Sequence, residues 1–186
     1  MRGLAIRAPC CTLLWLLLAG AACSERSSRP FLASSSELEL EADHHQVYLQ
    51  DEQAAGDLDT VWSREAVARL LGASPGTVGI GTLRDGSVRV VVRVQATEPV
   101  LDLRTFDHVA ECVLTMRSSR LVVAGCMDYR PTARRLEITP GKYRVRLQIR
   151  GAATVAADES SGQEIYEVVL WPSEDEAVVV HKLHKA

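Results

Sequence analysis

The chain has 186 residues, 47% of them hydrophobic and 24% charged, with 21 Lys and Arg against 24 Asp and Glu. That composition excludes a disordered tail and suits one well-filled core, whereas two full domains would need a longer chain. A formal charge of −3 excludes a broad basic face of the kind that holds phosphates, so no direct nucleic-acid binding is expected.

Arg2 and Arg7 flank and precede an apolar run over residues 11–18, and the small residues Ala19, Gly20, Ala21 and Ala22 lead to Cys23. This reads as a bacterial-type secretory signal over residues 1–22, and its apolar run is shorter than the ~20 residues of a spanning helix. Small residues before a cysteine resemble a lipobox, in which Cys23 would take a diacylglycerol and anchor the protein to the cell envelope, at the outer membrane or extracytoplasmic face. Gly20 stands where Leu is preferred, so ordinary cleavage after Ala22 to a secreted soluble protein is the alternative. Residues 23–36 are rich in Ser, Arg and Pro and read as a flexible tether, with a single folded domain over 37–186.

From Glu37 the alternation Glu37-Leu38-Glu39-Leu40-Glu41 has the period of two of a half-buried strand. A second strand over 46–50 is expected after a bulge at His44 and His45, where the apolar phase slips from even to odd positions. One helix is predicted from Arg64 to Leu71, with Ser63 as its cap, Trp62 and Val67 as a hydrophobic staple, and Gly72 as a left-handed terminator. Strands over 77–83 and 87–95 flank Arg84-Asp85-Gly86, whose Asp-Gly step predicts a tight hairpin. Residues 106–116 and 121–126 predict another hairpin, and further strands are expected over 134–138, 142–150, 163–171 and 177–183. About eight or nine short strands with one short helix indicate a mainly β fold, an antiparallel β-sandwich, in preference to a barrel.

Beyond the signal and Cys23, the thiols are Cys112 and Cys126. In the expected hairpin they stand nearly opposite one another, which admits a disulfide in an oxidising compartment; two buried, reduced cysteines are the alternative. His108 precedes Cys112 by four residues, about 13 Å along a strand, which does not make a catalytic dyad. His44 and His45 are adjacent on a strand and face opposite sides, and His181 and His184 share a face only on a helix, so no metal site is expected. The chain lacks a Gly-x-Ser-x-Gly elbow, a His-Glu-x-x-His pair and a phosphate-cradling loop, so neither catalysis nor a cofactor is expected.

The charge map is uneven. Glu37, Glu39, Glu41, Asp43, Asp51, Glu52, Asp57 and Asp59 fall in one stretch without Lys or Arg, whereas residues 117–150 are strongly basic. Two solvated faces that neutralise each other explain this simply. The functional alternative is that the acidic stretch steers a basic protein partner, such as a nuclease whose groove holds phosphates.

Three short stretches resemble the competence protein J family, described as inhibitors of a DNA-entry nuclease. They are His44-His45-Gln46-Val47-Tyr48, Trp62-Ser63-Arg64-Glu65-Ala66 and Pro140-Gly141-Lys142-Tyr143-Arg144, in an order and spacing that agree roughly from Leu38 to Trp171. The resemblance implies a small non-catalytic protein that binds and inhibits a nuclease. Together with the leader it implies an envelope-anchored inhibitor of a nuclease or toxin; the competing expectation is a structural envelope lipoprotein that acts as an assembly scaffold.

Overall fold

The computed structural model describes residues 31–54 and 58–184. The expected leader, its cleavage point and Cys23 lie outside those residues. Among the described residues eleven strands form two sheets, and apolar side chains from the inner face of each meet in one core.

Strand β1 (Ser34–Glu41) begins three residues earlier than the alternation suggested, and it turns Leu38 and Leu40 inward and Glu37, Glu39 and Glu41 outward. Strand β2 (Gln46–Asp51) lies in the other sheet. The expected bulge is instead a crossing between sheets, made by a 3₁₀ turn at Asp43–His45 in which His44 and His45 have φ of 56° and 57°. The slip in apolar phase marks that crossing.

Helix α1 (Arg64–Ala68) is shorter than predicted, and Ser63 does cap it, accepting from the Ala66 N–H at 3.2 Å. Leu70, not Gly72, takes the left-handed conformation after it, and Val67 is exposed. Gly72 already belongs to β3 (Leu71–Ser74), where a side chain would collide with the Val61 carbonyl oxygen. Close approach, not backbone angle, requires glycine there. Strand β3 pairs with β4 (Thr77–Gly81) in a hairpin around Pro75 and Gly76 that the sequence reading did not isolate.

The two predicted hairpins do not form. Strand β4 is in the smaller sheet while β5 (Ser87–Val94) is in the larger; likewise β6 (His108–Met116) and β7 (Arg120–Gly125) separate. The corner residues account for this. The Leu83 N–H donates to the Tyr166 hydroxyl at 2.7 Å, and the buried Asp51 carboxylate accepts from the backbone N–H groups of Arg117 and Ser118, so each turn is tied to a distant segment that redirects the chain.

Strands β8 (Arg134–Glu137), β9 (Gly141–Arg150), β10 (Ile165–Pro172) and β11 (Val179–Lys182) complete sheets of order β1-β5-β10-β9-β6-β11 and β3-β4-β2-β7-β8. The fold is the expected β-sandwich with one short helix among the described residues; β5 pairs with β10 in parallel, a departure from the antiparallel expectation. Val47, Leu49, Ile80, Val90, Leu147 and Leu170 are fully buried between the sheets, each contributing about 1.5–3 kcal/mol by burial.

Separation of β6 from β7 also removes the cross-strand geometry expected for the cysteines. Cys112 and Cys126 are both free thiols: Cys112 faces the core, while Cys126 lies just past β7 and donates to the Asp43 carbonyl at 2.9 Å.

Candidate protein-binding corner

The acidic stretch does not form one surface. Glu37, Glu39 and Glu41 share the outer side of β1, where Glu37 pairs with Arg89 at 2.6 Å. Asp51 is buried at the far end of β2 from His45. Burial raises its pKa, yet hydrogen bonds from Ser118, Gln53 and Arg117 outweigh that and hold the carboxyl below its ordinary range. Glu52 pairs with Arg135 at 2.8 Å and lies 3.6 Å from Arg120, so the acidic and basic stretches do neutralise each other there. Asp59 opens the 3₁₀ turn Asp59–Val61, and Asp57 lies outside the described residues.

The basic stretch is equally divided. Arg144 and Arg146 share the outer face of β9 but are buried, with their Nε atoms 2.7 and 2.6 Å from the two oxygens of Glu111. Arg146 reaches Glu98 at 2.6 Å and stacks 4.7 Å from the Trp171 ring centre. His181 Nε2 completes the cluster at 2.9 Å from Glu111. Burial raises the Glu111 pKa, but Arg144 and Arg146 outweigh it and hold it low.

Of the acidic set, Glu41 ends β1 where the chain crosses to β2, Asp43 lies in the crossing, and Asp59 stands near enough to Tyr48 to act on its hydroxyl. The crossing is pinned by Ala42 N–H to Gly86 oxygen at 2.8 Å and by His45 N–H to Asp85 Oδ1 at 2.6 Å. The half-buried imidazole of His45 lies 3.8 Å from Asp85 and 3.5 Å from Glu159. Asp128 accepts from the Gly125 N–H at 2.7 Å on the same corner. The Cys126 thiol registers the field: burial pushes its pKa up, and Asp43, Asp85 and Asp128 push it further. Among the described residues no Lys or Arg pairs with the carboxylates of Asp43, Asp85, Asp128 or Glu159. Arg84 turns instead toward buried Glu164, 2.8 Å away but not aligned for a hydrogen bond.

Two of the three quoted motifs converge at this corner. The Trp62 indole N–H donates to the Tyr48 hydroxyl at 2.8 Å and to Gln46 Oε1 at 3.1 Å, and the Tyr48 and Trp62 rings meet edge to face, 6.4 Å apart. Trp62 can lie on the sheet because Gly79 carries no side chain; a Cβ there would sit 2.7 Å from the indole. A cavity of about 160 Å³ opens between His44, His45, Trp62, Leu70 and Thr82. Met127 and Tyr129 project beside Asp128, 70% and 72% exposed. The third motif lies elsewhere, with Pro140, Gly141, Lys142 and Tyr143 lining a cavity of about 530 Å³ beside Phe31 and Pro172.

Asp85, Asp128 and Glu159 were not singled out in the sequence. They come from three separate loops, and only the crossings bring them together; Asp85 carried a turn signal and the others none. The remaining reactive side chains are engaged in structure. Burial pushes the Cys112 thiol up to about 12, His108 Nε2 is 2.8 Å from the Arg69 carbonyl, and His108 Nδ1 accepts from the His184 N–H at 3.3 Å. No group of three or more potential metal ligands occurs among the described residues.

No protein-family model matches the sequence, and no curated protein matches it. Two solved structures share the fold. One is ComJ, an inhibitor of the DNA-degrading activity of NucA from Bacillus subtilis, at a TM-score of 0.58 and 14% identity over 76% of this chain and 99% of that one. The other is described as crocagin biosynthetic gene J, at a TM-score of 0.53 and 19% identity over 77% of this chain and 99% of that one. The chain therefore has a ComJ-like fold.

Proposed function

We propose that this protein is a non-catalytic binding domain that inhibits a nuclease or a nuclease-like toxin. The observation that carries the reading is the likeness to ComJ over essentially the whole of that inhibitor. The corner supplies a physical means: carboxylates that no Lys or Arg pairs with among the described residues, beside exposed Met127 and Tyr129, complement a basic groove and would raise the association rate as well as specificity. Secretion through residues 1–22 and a lipid anchor at Cys23 belong to the same proposal and would place the inhibitor in the envelope. Metabolic labelling with a radioactive fatty acid tests the anchor, with loss of label in Cys23→Ala as the expected result.

The function is tested by capturing partners of the full chain from envelope and secreted fractions, then assaying DNA hydrolysis by the captured protein. Equimolar inhibition by the chain is expected, weakened at least roughly tenfold by Glu41→Lys with Asp43→Lys and by raised salt. A captured nuclease that keeps full activity at saturating inhibitor would end the proposal. One observation favours the scaffold alternative: β11 ends the larger sheet, and Val180 within it and Val178 and Leu183 on either side of it are exposed.

A further inference from the structure

Side chains alternate along β2. Val47 and Leu49 enter the core, so Gln46, Tyr48 and Gln50 stand on the outer face of the smaller sheet. Two of these three are engaged there: Gln46 Oε1 accepts from the Trp62 indole and from the Tyr48 hydroxyl. Gln50 is not. It is only 6% exposed, it lines a cavity of about 120 Å³ with Tyr48, Leu58, Cys126, Asp128 and Arg130, and its side-chain amide has no hydrogen-bond partner among the described residues. Buried amides are costly to leave unpaired, and one that opens into a cavity calls for an occupant.

The charge around the cavity indicates the sign of that occupant. Asp128 lines it directly, with one carboxylate oxygen on the Gly125 N–H and the other unbonded among the described residues. Two groups in the wall register the field. Burial raises the pKa of the Cys126 thiol, and Asp43, Asp85 and Asp128 raise it further. Burial likewise raises that of the Tyr48 hydroxyl; the Trp62 N–H opposes this, and Cys126 and Asp59 reinforce it. The cation in the wall is Arg130, but its guanidinium is turned onto backbone, donating to the carbonyls of Asp51, Glu52 and Ala54 at 3.0, 3.2 and 3.3 Å.

We propose that this cavity seats a lysine side chain of the protein partner. Its ammonium would donate to Gln50 Oε1 and to the second oxygen of Asp128, while its methylenes would lie against Tyr48 and Leu58. An ammonium suits the site better than a guanidinium, because the acceptors come singly from separate elements and not as a planar fork. The identity of the partner rests on the proposed function, since a groove that holds phosphates is lined with such side chains; the cavity and its charge do not.

Cys126 allows a test that needs no known partner. The full chain in mild detergent is treated with 2-aminoethyl or 2-hydroxyethyl methanethiosulfonate, which leave on Cys126 a disulfide-linked lysine surrogate or its uncharged counterpart, and peptide mapping verifies the adduct. Cys112 is fully buried and out of reach in the folded chain. At low salt the aminoethyl adduct should melt about 2–4 °C above the hydroxyethyl adduct. Gln50→Leu and Asp128→Asn should each at least halve that difference, and in Cys126→Ser, treated alike, it should vanish. Equal melting of the two adducts, or a difference that neither substitution changes, would overturn the proposal whatever the chain inhibits. With a captured nuclease, the aminoethyl adduct should inhibit at least roughly tenfold more weakly than the unmodified chain, because the seat is filled. Undiminished inhibition by that adduct would overturn the assignment of the lysine to the nuclease. Failure to capture any nuclease would count against the proposed function, and the melting comparison would still decide the lysine seat.

Discussion

The outer faces of the two sheets are covered in opposite ways. Over the larger sheet lie buried charges: Glu111 holds Arg144 and Arg146, and residues 96–100 and 175–181 close over them through Glu98, the Pro99 carbonyl and His181. Over the smaller sheet lies an aromatic plate, with Trp62 resting on Gly79 and bonded to Tyr48 and Gln46. Both arrangements exclude water from a sheet face, but the first depends on complete charge pairing and the second on shape. They should therefore fail differently.

The largest effect should come from Glu111→Ala. Two guanidinium groups would lose their shared carboxylate while remaining buried, and removing one partner of such a cluster costs about 3–5 kcal/mol. Urea denaturation reads the loss, and Glu111→Gln should recover part of it by keeping one acceptor. Trp62→Ala should follow at about 2–3 kcal/mol, below the value for a fully buried tryptophan because the indole is only half-buried. Gly79→Ala should cost about 1–3 kcal/mol by lifting the same indole, with a lowered melting temperature as the readout. If Gly79→Ala proved neutral, the plate would be looser than its contacts indicate.

Acid sharpens the comparison further. The folded pKa values of Glu111 and Asp51 lie below their ordinary values, so their stabilisation is complete above the ordinary carboxylate range and is lost as pH falls through the folded values. Unfolding midpoints measured from about pH 6 downward should therefore drop most steeply below about pH 4, and Asp51→Asn should flatten the drop. The smallest effect on stability belongs to the corner. Glu41→Lys and Asp43→Lys should change folding by no more than about 0.5 kcal/mol, because both residues are exposed and neither carboxylate is paired among the described residues. Whatever those variants do to nuclease inhibition then reads binding alone.

Local chemistry was legible and long-range connection was not. The alternation of Glu37 to Glu41 showed a strand with its faces correctly assigned, and Ser63 marked the helix start. Gly86 does adopt the positive φ expected of the Asp-Gly turn, at 84°. Whether that turn led to a hairpin or a crossing depended on Tyr166, about eighty residues away, and the other crossing depended on Asp51. The same limit governed the charges. A run of acidic residues in sequence says nothing about which ones will be drawn onto backbone N–H groups, as Asp51 was, and which will remain at the surface with Asp43.

The position of β10 has a consequence for synthesis. This strand is second to last of the described strands but lies third in the larger sheet, joining β1 and β5 on one side to β9 and β6 on the other. Until Pro172 has left the ribosome, β1 and β5 form a two-stranded ribbon with no lateral neighbour, and the core side chains of β5 have nothing to complete their sheet. Two-stranded pieces of this kind are marginal in water, and long-range pairings form slowly. The nascent chain should therefore keep the inner face of β1 and β5 uncovered until β10 has emerged, so its core closes late.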